Sequence, residues 1–214
     1  MTAATAQDRR EMRAGRKRDE ILDVARRLFL EGEFSGVTME AVASEVLLSR
    51  VALYQYFPNK MELFASILIR DMNRLVQAMR GAVHPDMSAS ENLDAISAAY
   101  LKFFRERPEY FKKFSFYFLP GRDVNLPEEL TVRLERRLFE GIKVIQECMS
   151  EGIKNSELRE IDPKTASLAH WSLLMGAAYA TVTGYARRQN LDDHAVSTFG
   201  LRTFVEGMRR NHSE

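Results

Sequence analysis

Between Thr38 and Lys60 the chain reads TMEAVASEVLLSRVALYQYFPNK, and its side chains are of a restricted kind. There is no Asp or Glu between Glu45 and Glu62, whereas Arg50 and Lys60 are basic and Tyr54, Gln55 and Tyr56 carry neutral hydrogen-bonding groups. Such a surface approaches phosphate groups without repulsion, and its polar tips reach groups on a nucleic acid. The alternative is a helical hairpin inside a core, with SRVALYQYF amphipathic for packing alone.

No other stretch gathers reactive groups. Cys148 is the only cysteine, so no internal disulfide is available, and it has no partner motif. His84, His170, His194 and His212 lack metal-ligand spacing, and Asp192-Asp193-His194 lacks the further carboxylate of a metal-binding helix. No glycine-rich phosphate loop is present. The expectation is no metal, no cofactor and no enzymatic activity.

Thirty-one Lys and Arg against 30 Asp and Glu leave a net charge of +1, which as a chain average gives no sign of an anionic partner. By position the charge is uneven. Arg9, Arg10, Arg13, Arg16, Lys17 and Arg18 face only Asp8 and Glu11. Residues 1–17 are therefore expected to be a basic, flexible leader, either an arm that follows a DNA backbone or minor groove or a merely solvated terminus. No apolar run approaches the roughly 20 residues that span a bilayer, and the polar N-terminus has no signal-peptide core. No membrane contact and a cytoplasmic location are expected.

Apolar residues recur at three- and four-residue steps with only 6 prolines and 11 glycines, which predicts an all-α protein. Ile21, Ala25, Leu28 and Phe29 mark a first helix that stops at Glu31-Gly32, glycine being suited to a left-handed C-cap. Thr38 caps a short second helix carrying Met39, Val42 and Val46. Ser49 caps a third, which must end near Phe57 because Pro58 disfavours helix in the residue before it. A longer helix over 59–80, with Leu63, Ile67, Met72, Leu75 and Met79, is placed to link two modules. After a loop over 81–90, Pro127 opens a helix to about Glu151, Asp162-Pro163 one to about Arg188, and Asp192 one to about Arg210.

Two short helices joined by a tight turn, the second presenting small and polar residues, describe a helix-turn-helix whose second helix fits the major groove. From Arg18 to Leu68 the chain resembles the TetR family of bacterial one-component regulators, through ILDVARRLF, the Gly32 turn, TMEAVA, SRVALYQYFPNK and MELF. The resemblance implies a three-helix DNA-binding domain over 18–62 and a helical effector-binding and dimerisation domain over 63–214. It implies a repressor released from a near-palindromic double-stranded operator by a small molecule. Carried over by position, Thr38 contacts phosphate beside the Ser49-capped helix, and Arg50, Val51, Ala52 and Gln55 face bases or the groove wall. Tyr54 and Lys60 hold phosphates, Tyr56 belongs to the same surface, and Leu53 and Phe57 are core. Two positions depart from the family. Leu47 stands where glycine is usual, and a side chain there costs about 1–2 kcal/mol if the left-handed conformation is kept. Val51 and Ala52 stand where glycine and threonine are frequent, which offers thymine methyls an apolar contact in place of a hydroxyl.

Nine of the chain's 21 aromatic residues lie between Tyr100 and Phe118. An apolar pocket for a small apolar or aromatic effector is one explanation, with Tyr100, Phe103, Phe104, Phe114 and Tyr117 on one wall and His170, Trp171, Met175 and Tyr179 opposite. Plain core packing explains the same residues. Gly176, Ala180 and Gly184 form a small-residue strip, and Val196, Phe199, Gly200, Thr203, Phe204, Gly207 and Met208 a stripe on the last helix. These suit a homodimer through the last two helices, with burial inside the monomer as the alternative. The competing function is an all-helical small-molecule-binding or scaffold protein whose DNA-binding module is silent.

Overall fold

A computed structural model describes residues 5–109, 111 and 126–210. Its regular structure is helical, as the apolar spacing predicts, and one isolated antiparallel bridge joins Leu158 to Arg209.

Helix α1 runs over Ala6–Glu31. The Thr5 hydroxyl accepts from the Asp8 amide at 3.2 Å while the Asp8 carboxylate accepts from the Thr5 amide at 2.7 Å. This reciprocal cap starts the helix eleven residues ahead of Lys17, so the stretch expected to be a flexible leader is helical from Ala6 onward. The segment continues into a packed face, Ile21, Leu22, Ala25 and Phe29, whose burial sustains the propagation. At its other end Gly32 is extended rather than left-handed, with φ −112° and ψ 176°, and its amide bonds back to the Leu28 carbonyl at 2.9 Å.

Helices α2, Met39–Glu45, and α3, Arg50–Tyr56, follow in quick succession. Thr38 Oγ1 accepts from the Ala41 amide and Ser49 Oγ from the Ala52 amide, both at 3.1 Å, which satisfies otherwise orphaned donors. Helix α3 stops at Phe57, extended at φ −142°, as the following proline requires. Asn59 Oδ1 accepts from the Glu62 amide at 2.8 Å at the start of α4, Lys60–Gly81.

The chain divides into two compact units. One comprises the residues up to Arg70 together with the first turns of α6 (Glu128–Lys154) as far as Leu134, so it extends beyond residue 62, where the domain was expected to end. The reason is packing: Leu63, Phe64, Ile67 and Leu68 of α4 are buried, and Phe64 meets Phe29 and Phe34 edge-on at 5.1 Å each.

The other unit contains the rest of α4 and α6, together with α5 (Ala89–Arg105), α7 (Pro163–Thr183) and α8 (Asp193–Glu206). Its interior is built from Leu75, Met79, Leu93, Ile96, Tyr100, Ile145, Met149, Trp171, Leu174, Leu201 and Val205. Gly152 allows α6 to approach the start of α5, since a Cβ there falls 2.4 Å from that of Ala89. Helix α7 ends at Thr183, short of the expected Arg188, because Gly184 turns left-handed at φ 63° and its amide caps the Ala180 carbonyl. Gly184 is thus a helix stop and not the third member of a small-residue strip. Helix α8 likewise ends at Glu206 rather than near Arg210.

Candidate nucleic-acid interface and ligand site

Leu53 and Phe57 are buried, which turns the other faces of α3 outward: Arg50, Val51, Tyr54 and Gln55 are exposed, Ala52 and Tyr56 half-buried. Thr38 and Ser49 are exposed at the starts of α2 and α3. Their hydroxyl oxygens are occupied as cap acceptors, which leaves each hydroxyl proton free to donate outward. The surface therefore gathers eight of the nine residues read from the sequence, with a guanidinium, an amide, two phenols and two hydroxyls for polar contact and two small apolar side chains between them.

Lys60 has another role. Its ammonium donates to the carbonyls of Phe34 at 2.8 Å, Val37 at 2.9 Å and Ser35 at 3.3 Å, and lies 4.5 Å from the centre of the Phe34 ring. Three donors are thereby spent on the loop before α2, and desolvation lowers the pKa of the amine. These bonds make the ammonium a tether that fixes where Thr38 stands, and a phosphate, the partner expected of Lys60, would have to compete with them. Lys17 does similar work at the other end of α2, donating to the Val46 carbonyl at 2.7 Å and to Glu20 at 3.0 Å. Arg18 lies over the Phe57 ring at 4.4 Å and reaches Ser66 Oγ at 3.4 Å. Arg18 and Lys17 counted as leader charge in the sequence. The signal that marks Arg18 as structural is its place four residues before Leu22, on the buried face of α1.

Glu40 is the residue the linear reading missed. Its carboxylate pairs with Arg50 at 2.8 Å, and the Arg50 guanidinium also lies 5.5 Å from the Tyr54 ring centre. The hydrogen bond with Tyr54 and the charge of Glu40 both raise the Arg50 pKa. The acid-free window held only along the chain, because folding α2 against α3 brings an acid to its edge.

Leu47 keeps the left-handed conformation at φ 54° and is 91% exposed, so the turn retains its shape and places the leucyl side chain in solvent beside α3. The Leu48 amide closes the turn on the Ala43 carbonyl at 2.9 Å.

In the other unit, Tyr100, Phe103, Phe104 and Trp171 are buried and meet one another. Tyr100 contacts Phe104 at 4.9 Å and Trp171 at 5.2 Å, and Phe104 contacts Phe103 at 5.3 Å and Phe111 at 4.9 Å. Met175 is half-buried and Tyr179 exposed, so the ring of Tyr179 is less enclosed than those of Tyr100 and Trp171. Helix periodicity explains this, because Tyr179 follows the buried Ala178 by one residue. Phe114 and Tyr117 lie outside the described residues.

His170 is fully buried, with Nε2 2.9 Å from Ser97 Oγ, which itself donates to the Leu93 carbonyl at 2.7 Å. The proton on the hydroxyl being used there, Nε2 donates and Nδ1 is left as a bare acceptor. Burial depresses the His170 pKa to about 4. Among the described residues, the buried side-chain nitrogens without a hydrogen-bond partner are Arg70 Nε, His170 Nδ1 and Trp171 Nε1, two of the three on neighbouring residues. Ser97 also borders a groove of about 190 Å³ between α5 and α8, lined by Asp94, Arg105, His194 and Arg202. A larger groove, about 420 Å³, lies among Arg80, His84, Asn92, Glu147 and Cys148.

Helix α8 turns Ser197, Leu201 and Val205 inward, with Met208 buried just beyond its end, and leaves Val196, Phe199, Gly200 and Thr203 exposed. Met208, expected on the outer stripe, is thus interior. On α7, Leu168, Leu173, Gly176 and Tyr179 are exposed.

Residues 21–67 match the family described as bacterial regulatory proteins, tetR family. The chain is similar to the HTH-type transcriptional regulator YhgD of Bacillus subtilis, 24% identical over 159 residues that cover 74% of this chain and 81% of the relative. It is 28% identical over 87 residues to the HTH-type transcriptional activator FasR of Mycolicibacterium smegmatis, covering 41% of this chain and 40% of FasR. In fold it is similar to the transcriptional regulator FadR of Bacillus subtilis, solved in complex with stearoyl-CoA. The TM-score is 0.69 at 20% identity, over 88% of this chain and 98% of FadR.

Proposed function

We propose, from the match of residues 21–67 to the tetR family of bacterial regulatory proteins, that the protein is a homodimeric transcriptional repressor released from DNA by a small-molecule effector. The observation that carries the reading is the outward face of α3, where Arg50, Val51, Tyr54 and Gln55 are exposed around a buried Leu53. Arg50, Val51, Ala52 and Gln55 meet base edges or the groove wall. Thr38, Ser49, Tyr54 and Tyr56 hold the flanking backbone, and Lys60 fixes the loop that carries Thr38. Two such faces, related by a two-fold axis, fit a near-palindromic operator.

The effector binds in the C-terminal unit. Support comes from the unpartnered Nδ1 of His170 and Nε1 of Trp171, an acceptor and a donor that a polar group on an otherwise apolar ligand would satisfy. FadR is named with stearoyl-CoA, which makes long-chain acyl-CoA esters the first compounds to assay. The effector acts only by binding the released form more tightly than the DNA-competent form. FasR is named an activator, so the direction of regulation is itself an outcome of the test.

The test starts with selection of duplexes from a random library by the full-length protein, followed by anisotropy titration of the recovered site with and without stearoyl-CoA. A recovered near-palindrome whose affinity falls on adding the ester supports the proposal. Recovery of no sequence overturns DNA recognition and leaves a helical ligand-binding protein. A recovered site with unchanged affinity overturns this effector class. Gln55→Ala is expected to change the recovered sequence rather than weaken binding uniformly.

A further inference from the structure

The first turns of α1 stand apart from the packed domain. Every residue from Thr5 to Arg16 is exposed, and Arg9, Arg10, Arg13 and Arg16 form no ion pair among the described residues. At 100° per residue these four and Lys17 fall within an arc of about 120°, with Asp8 and Glu11 on the opposite side. Lys17 ends the stripe and is paired with Glu20. The root of the extension is fixed to the recognition module, since Lys17 binds the Val46 carbonyl just ahead of the Leu47 turn and Arg18 covers Phe57 at the end of α3. An ordered basic stripe thus leads away from the surface that reads DNA.

We propose that this N-terminal half of α1 is a second DNA-contacting surface, in which Arg9, Arg10, Arg13 and Arg16 track backbone phosphates outside the base pairs read by α3. The proposal rests on the DNA-binding reading and adds a footprint to it. Residues 6–17 span about 18 Å as a helix, the length of about five base pairs. Charge and continuity with α3 select duplex DNA as the occupant. An anionic bilayer does not fit, because the side away from the arginines carries Asp8, Glu11 and Met12 and no apolar face. The contact is with phosphate and not with bases, since a helix broadened by long arginines fits no minor groove. Its contribution is affinity and salt dependence with no sequence preference.

The experiment compares the full-length wild type with a variant carrying Arg9→Gln, Arg10→Gln, Arg13→Gln and Arg16→Gln, with helicity checked by circular dichroism. The probes are a selected duplex of about 40 base pairs and the same site trimmed to its symmetric core, titrated across a range of KCl concentrations. On the long duplex the variant is expected to bind at least about tenfold more weakly at about 100 mM salt, with a log–log salt slope shallower by about 2–4 per protomer. On the trimmed core the two proteins are expected to bind alike. Equal affinity and slope on the long duplex overturn the proposal, as does an equal loss on both duplexes, which places the arginines inside the half-site.

Ala14→Pro keeps every charge and interrupts the helix. It is expected to lose at least half of the same slope, and an unchanged slope overturns the ordered stripe in favour of a charged tail. Arginine-dependent binding to phosphatidylglycerol vesicles with no change in duplex affinity overturns it in favour of a membrane. If the wild type binds neither duplex, the DNA reading itself fails, a result distinct from wild-type binding that the variants leave unaltered.

Discussion

A lysine at the edge of a DNA-binding face is ordinarily counted as a phosphate ligand, yet the ammonium of Lys60 is already held by the carbonyls of Phe34, Ser35 and Val37. Charge-assisted bonds of this kind are worth more than neutral ones, and removing the donor strands three acceptors at the loop. Lys60→Ala is therefore expected to destabilise the protein by about 1–2 kcal/mol in urea unfolding and to leave the salt slope of DNA binding unchanged. A slope reduced by about 1 with stability intact would return Lys60 to the phosphate role. Glu40 poses the opposite case, a carboxylate on the surface proposed to meet phosphate. Because the Glu40–Arg50 pair is exposed, its own contribution to stability is small. Glu40→Gln is expected to raise affinity for random-sequence duplex by about two- to fivefold, and weaker binding would mean that the carboxylate is needed to aim Arg50.

At the scale of elements, the turn between α2 and α3 holds Leu47 left-handed although nothing packs on its side chain. The strain is sustained by the Leu48–Ala43 backbone bond and by the Lys17 bond to Val46. Leu47→Gly is expected to stabilise the domain by about 0.5–1 kcal/mol, and a loss of stability would show that the leucyl side chain has a structural partner. Between α5 and α7 the Ser97–His170 contact has a pH signature. Burial lowers the folded-state pKa of His170 from 6.5 to about 4, so the unfolded chain takes up a proton in this interval that the folded chain refuses. The contribution is fully present above pH 6.5 and is lost as pH falls toward about 4, to an extent of roughly 3 kcal/mol at most. Urea midpoints measured across this window should fall steeply for the wild type and less for His170→Gln. Parallel curves would remove His170 as the cause.

For the whole molecule, the outer faces of α7 and α8 expose Leu168, Leu173, Tyr179, Val196 and Phe199, the last at 74%. Single exposed apolar residues are ordinary, but a set along two neighbouring helices fits a self-complementary surface. Phe199→Asp is expected to yield a monomer by sedimentation and to abolish tight binding to a palindromic duplex while half-site affinity remains. A variant that stays dimeric would move the interface elsewhere.

Every helix named here but α5, with the caps at Thr38, Ser49, Asp162 and Asp192, and the division of α3 into a buried and an outward face were legible in the residues, because apolar periodicity and capping are local properties. The family resemblance was legible for the same reason: Arg18 to Leu68 is one uninterrupted pattern. The helical start of α1 was missed because a charged terminus and a charged helix have the same composition, and only the Thr5–Asp8 pair tells them apart. What tertiary structure alone decided is which charges remain free. Lys60 and Lys17 are taken up by carbonyls more than twenty residues away, and Arg50 is met by Glu40 from another helix. Electrostatic partners are set by distance in space, and sequence order records distance only along the chain.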